Sequence, residues 1–277
     1  MNSAQQLSAP LVSVITVCLN AKHTIRQTLE SVLGQSYRNI EYIIIDGEST
    51  DGTIDIIDEY RDRISLCISE KDCGISDAFN KGIRLAHGEY IQLLNADDWL
   101  PPDKIEKSVQ NLVKTPETGF VFGNLELIGE SGESDILILG DPDYGRKIRY
   151  MMPRINHPTV LARRSVYDQC GLFDTCWKIA MDYEWFLRIS NYGVIGSYDP
   201  EIFAYMREGG ISGNWWAALR EDREVAIHHG LSRPVAYLIH AFRYTKVAFR
   251  IKAERFLPAN LIMAFRPGKS CTHRKVD

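Results

Sequence analysis

The sequence lacks most of the features that would assign it directly to a class of protein. Its six cysteines form no Cys-x-x-Cys pair and no spacing typical of zinc ligands, so we interpret them as free thiols in a reducing cytosol. It contains no internal repeat, no low-complexity tract and no apolar run as long as a membrane-spanning helix. The first residues show no basic segment followed by an apolar one, so we expect no secretory signal. These absences argue against a disulfide scaffold, a zinc-binding module and an integral membrane protein.

Glycine-rich phosphate-binding motifs are also missing. No Gly-x-Gly-x-x-Gly follows the first predicted strand, and no Gly-x-x-x-x-Gly-Lys-Ser/Thr occurs anywhere. A site that holds phosphates here therefore needs another counter-charge, and a bound metal ion would supply one. The net charge of −4 indicates no particular partner, and we expect no nucleic acid. With 45% hydrophobic and 25% charged residues, the chain has the composition of a globular protein with a sizeable core.

One stretch combines an apolar run with a cluster of polar side chains. Residues 90–94 have the pattern of a buried parallel strand, and Asn95, Asp97 and Asp98 follow it directly. Pro101 and Pro102 then prevent a longer strand and favour the start of a helix. Two adjacent carboxylates repel each other unless a cation lies between them, and a hard divalent ion prefers such oxygen ligands. A solvated turn in which Asp98 caps the next helix is the alternative interpretation.

The first hundred residues alternate strands and helices. Strands are predicted at 11–19, 40–45, 64–69 and 90–94, with helices at 24–35, 53–60 and 76–86 between them. This order predicts a doubly wound, parallel α/β sheet. The carboxyl ends of parallel strands lie along one edge, where ligands bind in open α/β sheets. Each predicted strand ends in polar residues, which favours a binding crevice over solvated turns: Asn20, Asp46, Asp72, Asn95 and Asp97.

At this point the motifs resemble those of a known family. Four segments are similar to the signatures of family 2 inverting glycosyltransferases with the GT-A fold: residues 12–20, 43–53, 72–83 (DCGISDAFNKGI) and 90–99. The variant with Leu-Asn-Ala-Asp-Asp resembles a bacterial branch that builds O-antigen and exopolysaccharide repeat units. The resemblance implies a GT-A domain over 11–215. Its nucleotide-sugar-binding, Rossmann-like half would span 11–99 and its acceptor half 100–215, after a disordered 1–10 and before a helical extension over 216–277.

The resemblance also implies roles for residues at the strand ends. Thr16, Asn20 and Asp46 would contact the base and ribose of the nucleotide, and Asp72 would face the base. Asp77 would hold a basic neighbour or the donor sugar. The metal motif of the family, Asp-x-Asp, aligns with residues 95–97, so Mn²⁺ or Mg²⁺ would be held chiefly by Asp97. Asn95 departs from the motif and is assigned a ribose contact, while Asp98 would orient these groups, touch the donor sugar or cap a helix.

The acceptor half carries the other implied site residues. Asp182, in the first turn of a predicted helix, aligns with the general base of the inverting displacement, with helix capping as the alternative and Glu184 as the less favoured base. His157, before a proline, resembles a segment near the acceptor, although a structural role is equally open. Arg207 precedes Gly209-Gly210 in a segment similar to the loop that closes over the donor, and would pair with the diphosphate.

The charge of the chain is unevenly distributed. Residues 233–277 contain ten Lys/Arg and two Asp/Glu, a balance of +8, so the rest of the chain carries −12. Residues 234–265 mix apolar and basic positions, as in a helix that lies on an anionic membrane. We therefore expect a cytoplasmic protein bound peripherally to the inner face of the cytoplasmic membrane. The alternative is a helix that packs on the catalytic domain with a solvated basic face.

Together these features predict the transfer of one sugar, with inversion, from a nucleotide-diphospho-sugar to a glycan acceptor in bacterial surface polysaccharide biosynthesis. A UDP-sugar donor is favoured over a GDP-sugar, and a polyprenyl-diphosphate-linked acceptor is expected. A pyrophosphorylase would need a glycine-rich basic loop after the first strand, and a processive synthase would need Gln-x-x-Arg-Trp and membrane spans. A catalytically inactive sugar-nucleotide-binding or scaffold protein of the same fold remains an alternative because of Asn95.

Overall fold

The computed structural model describes residues 9–129, 134–207 and 215–256, and its centre is one mixed sheet of eight strands. The strand order is β3-β2-β1-β4-β7-β5-β6, and β8 pairs with β5. The strands are β1 (Val12–Cys18), β2 (Ile40–Asp46), β3 (Leu66–Ser69), β4 (Tyr90–Asn95), β5 (Phe120–Ile128), β6 (Ser134–Ile138), β7 (Leu161–Arg163) and β8 (Gly196–Arg207). The α-helices are α1 (Ile25–Leu33), α2 (Thr53–Asp58), α3 (Ile75–Leu85), α4 (Lys104–Lys114), α5 (Tyr144–Lys147), α6 (Arg164–Cys170), α7 (Met181–Asn191), α8 (Trp215–His228) and α9 (Arg233–Phe256).

The first four strands form the predicted parallel half of the sheet. Their order, β3-β2-β1-β4, places β1 in the centre, and the chain moves outward to β3 before α3 returns it to β4 on the other side of β1. Such a reversal opens a crevice at the carboxyl ends of the two strands beside it. In the register, Cys18 lies opposite Asp46 and Val17 opposite Asn95, so the strands end at nearly the same level.

The second half of the sheet is mixed. The short strand β7 is antiparallel to both β4 and β5, and it joins the two halves. β5 pairs with β6 in antiparallel and with β8 in parallel orientation. The β5–β8 register shifts between Phe122 and Asn124. Gly123, at the shift, faces the carbonyl of Ile202 so closely that a Cβ would collide with that backbone. The long strand β8 was not predicted from the sequence.

Both faces of the sheet are covered by helices, as a doubly wound fold requires. Helices α1, α2 and α4 pack on one face through buried residues that include Leu29, Ile57 and Ile105. Helices α3, α6 and α7 pack on the other through residues that include Phe79 and Trp185. The C-terminal helices α8 and α9 follow, and α8 contributes Val225 and Ala226 to the second core. None of the helices in the described ranges is long and apolar enough to cross a membrane.

Candidate active site

The turn after β4 contains buried oxygen atoms that the protein itself does not satisfy. Asp98 is 1% exposed, and the amide of Asn95 donates to its Oδ2 at 3.4 Å. Asn95 Oδ1 and Asp98 Oδ1 find no hydrogen-bond partner among the described residues. Buried acceptors of this kind are costly unless a donor or a cation completes them. The donor set, two carboxylates and an amide oxygen within one turn, fits a hard divalent cation.

The pKa shifts of Asp97 and Asp98 also favour a bound cation at this turn. Burial raises the pKa of Asp97, and Arg207 offsets only part of that effect. Burial and the neighbouring Asp97 raise the pKa of Asp98 well above its ordinary range, although Asn95 and the backbone N–H of Arg207 hydrogen-bond to it. The buried turn therefore disfavours carboxylate charge on both acids unless a cation joins them. The part of the chain that the structure describes has no group of three or more His, Cys, Asp or Glu side chains that could hold a metal, so any metal here relies on the amide oxygen of Asn95.

Two distant elements fix this turn in place. The hydroxyl of Thr28 in α1 donates to the carbonyl of Asp98 at 2.7 Å. Trp99 and Tyr205 exchange backbone hydrogen bonds at 3.1 and 2.9 Å, and their rings stack at 5.3 Å. The guanidinium of Arg207 lies 5.4 Å from the ring centre of Trp99, and its Nη2 donates to Gln27 at 2.8 Å. Arg207 Nε has no partner within the described ranges, so a donor N–H remains beside the acidic turn.

The loops after β1 and β2 interlock at the same edge of the sheet. Asn20, in a left-handed conformation with φ 52°, accepts a hydrogen bond from the N–H of Thr50 at 2.9 Å and donates its own N–H to Ser49 at 2.7 Å. Gly47 donates its N–H to the carbonyl of Cys18 at 2.8 Å. A side chain at position 47 would press on Asp72 Oδ2, 2.7 Å from an added Cβ, so the ends of β2 and β3 are also in contact.

Two predicted nucleotide contacts have internal partners. Asp46 is fully buried and accepts hydrogen bonds from the backbone of Ser49 at 2.9 Å, from the hydroxyl of Ser69 at 2.6 Å and from the Cys18 thiol at 3.3 Å. Burial acts against the charge of Asp46, but these hydrogen bonds outweigh it and lower the pKa. Thr16 is fully buried too, and its hydroxyl shares a hydrogen bond with Tyr42 at 3.1 Å. The structure thus places Asp46 beneath the loop and does not bring Thr16 to the edge.

Asp72 and Asp77 lie around the start of α3. Asp72 accepts the N–H of Gly74 at 2.8 Å, while Asp77 accepts the N–H of Cys73 at 3.0 Å and lies 3.8 Å from Lys81. The predicted basic neighbour of Asp77 is therefore present. The edge brings together Asn20, Asp72, Asn95, Asp97 and Arg207, and their contacts with a nucleotide stay predictions.

Asp182 is a half-buried carboxyl at the start of α7. Burial raises its pKa to about 6, the N–H of Tyr183 lowers it through a 2.7 Å hydrogen bond, and the negative charge of Asp222 in α8 raises it further. Asp222 pairs with Arg243 of α9 at 2.8 Å. A carboxyl that titrates near neutral pH is suited to accept a proton, because both of its forms are accessible. Strong pKa perturbation in a half-buried acid is also typical of catalytic groups.

The position of α7 depends on an acid that the sequence did not reveal. Glu221 of α8 accepts the backbone N–H groups of Lys178, Ile179 and Ala180 at 3.2, 2.8 and 2.9 Å. These N–H groups precede α7 and would otherwise lack partners, so Glu221 acts as its N-terminal cap from another helix. No motif distinguishes Glu221 from the other acids of α8 in the sequence. Only the fold brings it to α7.

Glu184, the less favoured base, is occupied by structural partners. It is 3% exposed, Arg188 donates to both of its oxygens at 2.9 and 3.0 Å, and His229 lies 3.1 Å away. Burial acts to raise the pKa of Glu184, but hydrogen bonds from His229 and Arg188 lower it overall. A base so strongly held as a carboxylate is a weak proton acceptor.

His157 lies in an aromatic environment. Its ring centre is 5.7 Å from that of Phe79 and 6.5 Å from that of Phe173. Burial lowers its pKa to about 4, so the imidazole is neutral at physiological pH. The predicted acceptor contact of His157 stays a prediction, and its packing fits the structural alternative. The Gly209-Gly210 loop lies outside the described residues.

Comparison with known proteins identifies the family. A model of the family described as "Glycosyl transferase family 2" matches residues 13–170. A glycosyltransferase of Escherichia coli, WfaP, named as a UDP-Glc:α-D-GlcNAc-diphosphoundecaprenol β-1,3-glucosyltransferase, is 30% identical over 226 residues, 78% of this chain and 85% of WfaP. The chain spans 62% of the length of two other, longer relatives.

Solved structures share the fold at low sequence identity. The mannosyltransferase PcManGT of Pyrobaculum calidifontis, solved with GDP-Man and Mn²⁺, has a TM-score of 0.64 at 21% identity, over 94% of this chain and 80% of PcManGT. TarS 1–349 of S. aureus, solved with UDP-GlcNAc, has a TM-score of 0.61 at 17% identity, over 83% of this chain and 70% of that one. The predicted GT-A architecture is confirmed. The sequence motifs, the sheet with its acidic edge and these comparisons agree that the chain belongs to glycosyltransferase family 2.

Proposed function

We propose that the protein transfers one sugar from a UDP-sugar to a polyprenyl-diphosphate-linked glycan acceptor, with inversion and with a divalent metal, in bacterial surface polysaccharide biosynthesis. One observation carries this proposal: an acidic turn with unsatisfied buried oxygens lies at the carboxyl edge of the parallel strands, while a separate helix presents a carboxyl whose pKa is about 6. These are the two functions that inverting transfer requires. WfaP is named for a UDP-Glc donor and a diphosphoundecaprenol acceptor, which supports the choice of substrates.

The donor side rests on the turn after β4. Asp97 and the free oxygens of Asn95 and Asp98 would hold Mn²⁺ or Mg²⁺. The ion would neutralise charge on the diphosphate that leaves. Arg207, whose Nε–H has no described partner, would add a charge-assisted hydrogen bond to the same group. The departure from Asp-x-Asp at Asn95 removes one negative charge and keeps an oxygen ligand.

The acceptor side rests on Asp182. In a single displacement the acceptor hydroxyl attacks the anomeric carbon from the face opposite the nucleotide. The oxygen–carbon bond forms as the bond to the diphosphate breaks, and the hydroxyl proton passes to Asp182. A base with a pKa near the working pH combines a useful fraction of carboxylate with adequate driving force. Glu221 and Asp222 on α8 hold and tune this base.

The C-terminal helix supports a membrane location. Leu238, Phe242 and Phe249 of α9 are 71%, 62% and 68% exposed, and Lys246 lies 5.6 Å from the ring centre of Phe242. An exposed face that combines aromatic and basic side chains matches the interface of an anionic bilayer. We propose that α9 docks the enzyme on the inner face of the cytoplasmic membrane, where a lipid-linked acceptor is presented.

A catalytically inactive protein that only binds sugar nucleotides is the second candidate, favoured by Asn95 alone. A nucleotide-sugar panel with and without Mn²⁺ would separate the two, because only an enzyme releases UDP in the presence of acceptor. Calorimetry of UDP with Mn²⁺ or EDTA tests the metal. Asp97→Ala should lose the metal-dependent part of the affinity, whereas Asp103→Ala, an exposed acid of the next turn, should keep it. Equal UDP affinity with Mn²⁺ and EDTA would contradict the metal assignment.

A further inference from the structure

A cleft between α8 and α9 lies beside the base and has no role in the reaction as described so far. Its polar lining consists of Tyr150, Arg223, His240 and Arg243, and Leu219 and Ile239 are among the apolar residues of its wall. Cationic and apolar groups in one cleft match an amphiphile with an anionic head. Two arginines and a histidine from two helices are enough to bind a phosphate by several charge-assisted hydrogen bonds.

The cationic groups of the cleft keep donors available. Arg243 engages Asp222 through Nη1 at 2.8 Å. Arg223 directs Nε and Nη2 to the same oxygen of Glu224, at 3.0 and 2.6 Å, so its Nη1 has no partner in the described part of the chain. His240 Nδ1 donates to the carbonyl of Leu219 at 3.2 Å, because a carbonyl can only accept, and this leaves Nε2 uncommitted.

The positive charge of the region comes from a neighbouring segment. Asp222 and Glu224 balance the two arginines of the cleft. The segment that contributes Tyr150 to the lining also carries Arg149, which is exposed and forms no ion pair with any described residue. Arg149 therefore adds an unpaired positive charge next to a lining residue, and positive charge beside a cleft attracts anions.

The cleft is also close to the reacting groups. Tyr183, next to Asp182, donates its hydroxyl to the carbonyl of Ile148 at 2.9 Å, which holds the Tyr150 segment against the base helix. On the other side, Asp222 acts electrostatically on Asp182 and binds Arg243 of the cleft. One carboxylate therefore separates the base from the cationic cleft.

We propose that this cleft binds the diphosphate of a polyprenyl-diphosphate-linked acceptor, with Arg223 and Arg243 as its ligands and the segment at Arg149 and Tyr150 as its rim. The inference rests on the proposed transfer to a lipid-linked acceptor. Leu238 and Phe242, exposed apolar side chains of α9, are sequence neighbours of the lining residues Ile239 and Arg243 and would offer a surface to the start of the lipid chain. The acceptor sugar then lies over Asp182, while the donor diphosphate is held at the acidic turn.

The test is calorimetric titration of the full chain with farnesyl diphosphate, a soluble polyprenyl diphosphate, in EDTA. Without metal the proposed donor site contributes little to diphosphate binding. We expect binding that saturating UDP does not displace, and that Arg223→Gln weakens about tenfold, as loss of a charge-assisted hydrogen bond predicts. Arg149→Gln, at the exposed rim, should weaken it less and serves as a second variant. Arg220→Gln, an exposed arginine of the same helix outside the cleft, is the matched control and should bind normally.

Three results would overturn the proposal. The first is equal affinity in Arg223→Gln, Arg149→Gln and Arg220→Gln. The second is displacement of farnesyl diphosphate by UDP, which would place it at the donor edge. The third is an equal loss of binding to phosphatidylglycerol vesicles in Arg223→Gln, which would make the ligand a phospholipid headgroup. Transfer to a diphosphate-free sugar acceptor, measured in parallel, tests the proposed reaction separately, because it does not need the cleft.

Discussion

Asp182 should reduce the stability of the folded protein at neutral pH, and Asp182→Asn should restore that stability while transfer is lost. The pKa of this carboxyl is about 6 in the fold, because burial and Asp222 disfavour its charged form, against an ordinary value of 3.8. A shift of about two pKa units corresponds to roughly 3 kcal/mol of unfolding free energy. Between these two pKa values the folded state holds a proton that the unfolded state has released. The free energy of unfolding therefore falls as the pH rises through this window and stays lower above it.

Asn cannot ionise and has the shape of the protonated acid, so the substitution removes this penalty. Urea unfolding at pH 8 should show Asp182→Asn stabilised by up to about 3 kcal/mol, and at pH 4 the difference should nearly vanish. Single-turnover transfer should fall by about 10²–10⁴-fold while donor affinity is kept. Glu184→Gln, on the same helix, is the matched contrast. Its carboxylate is stabilised by Arg188 and His229, so removing its charge should destabilise the protein at pH 8, and this effect should fade as the pH falls through its lowered pKa.

At pH 8, Asp182→Asn is expected to raise the free energy of unfolding and Glu184→Gln, on the same helix, to lower it. An Asp182→Asn protein that unfolds more easily than the parent at pH 8 would mean that the carboxylate serves the fold. Near-normal transfer with unchanged donor affinity would mean that another group accepts the proton. Asn is nearly as good a helix cap as Asp, so a capping role predicts neither the gain in stability nor the loss of rate.

Three further predictions concern other parts of the site. Asn95→Asp places a third carboxylate beside Asp97 and Asp98, so it should lower the melting temperature in EDTA and enlarge the increase in melting temperature that Mn²⁺ produces. Loss of donor binding in a folded Asn95→Asp protein would contradict the role of Asn95 as a ribose contact. Glu221→Gln should loosen the start of α7, seen as faster hydrogen exchange at residues 178–182, and should lower kcat with little change in donor KM. Arg220→Gln, at an exposed position of the same helix, is its control, and equal effects of both would count against the cap. A chain that ends at Ser232 should keep donor binding and lose flotation with phosphatidylglycerol vesicles at low salt, and equal flotation with the full chain would remove the membrane role of α9.

The parallel half of the fold could be predicted because its information is local. The strands β1, β2 and β4 are largely apolar runs, and β2 and β4 end in a polar residue. The order of strands and helices along the chain then leaves few topologies. The predicted ends of these strands agree with the structure to within about one residue. The identity of the acidic turn followed from the same rule, since carboxyl ends of parallel strands meet at one edge.

The remaining features depend on long-range contacts that leave no periodic signal. The three-residue strand β7 is too short to show a pattern, and β8 includes a proline within its run. In the sequence, Thr28 and Glu221 look like any other polar residues on a helix surface. Their roles appear only when the fold brings the carbonyl of Asp98 to the hydroxyl of Thr28 and the N–H groups before α7 to the carboxylate of Glu221. Thr16 was assigned to the nucleotide through the family resemblance, but the alternation of side chains along β1 buries its hydroxyl against Tyr42.

The acidic turn is held between α1 and β8, segments about 180 residues apart, and this has a consequence for biosynthesis. Gln27 and Arg207 meet directly, and Tyr205 pairs with Trp99. A growing chain therefore completes the first four strands, with Asp97 already at their edge, long before β8 leaves the ribosome. Donor binding then awaits one of the last sheet contacts to form, because contacts between distant segments are the slowest to close. We therefore expect nascent and truncated chains that lack β8 to bind nucleotide-sugars poorly, so that donor binding begins only after β8 has joined the sheet.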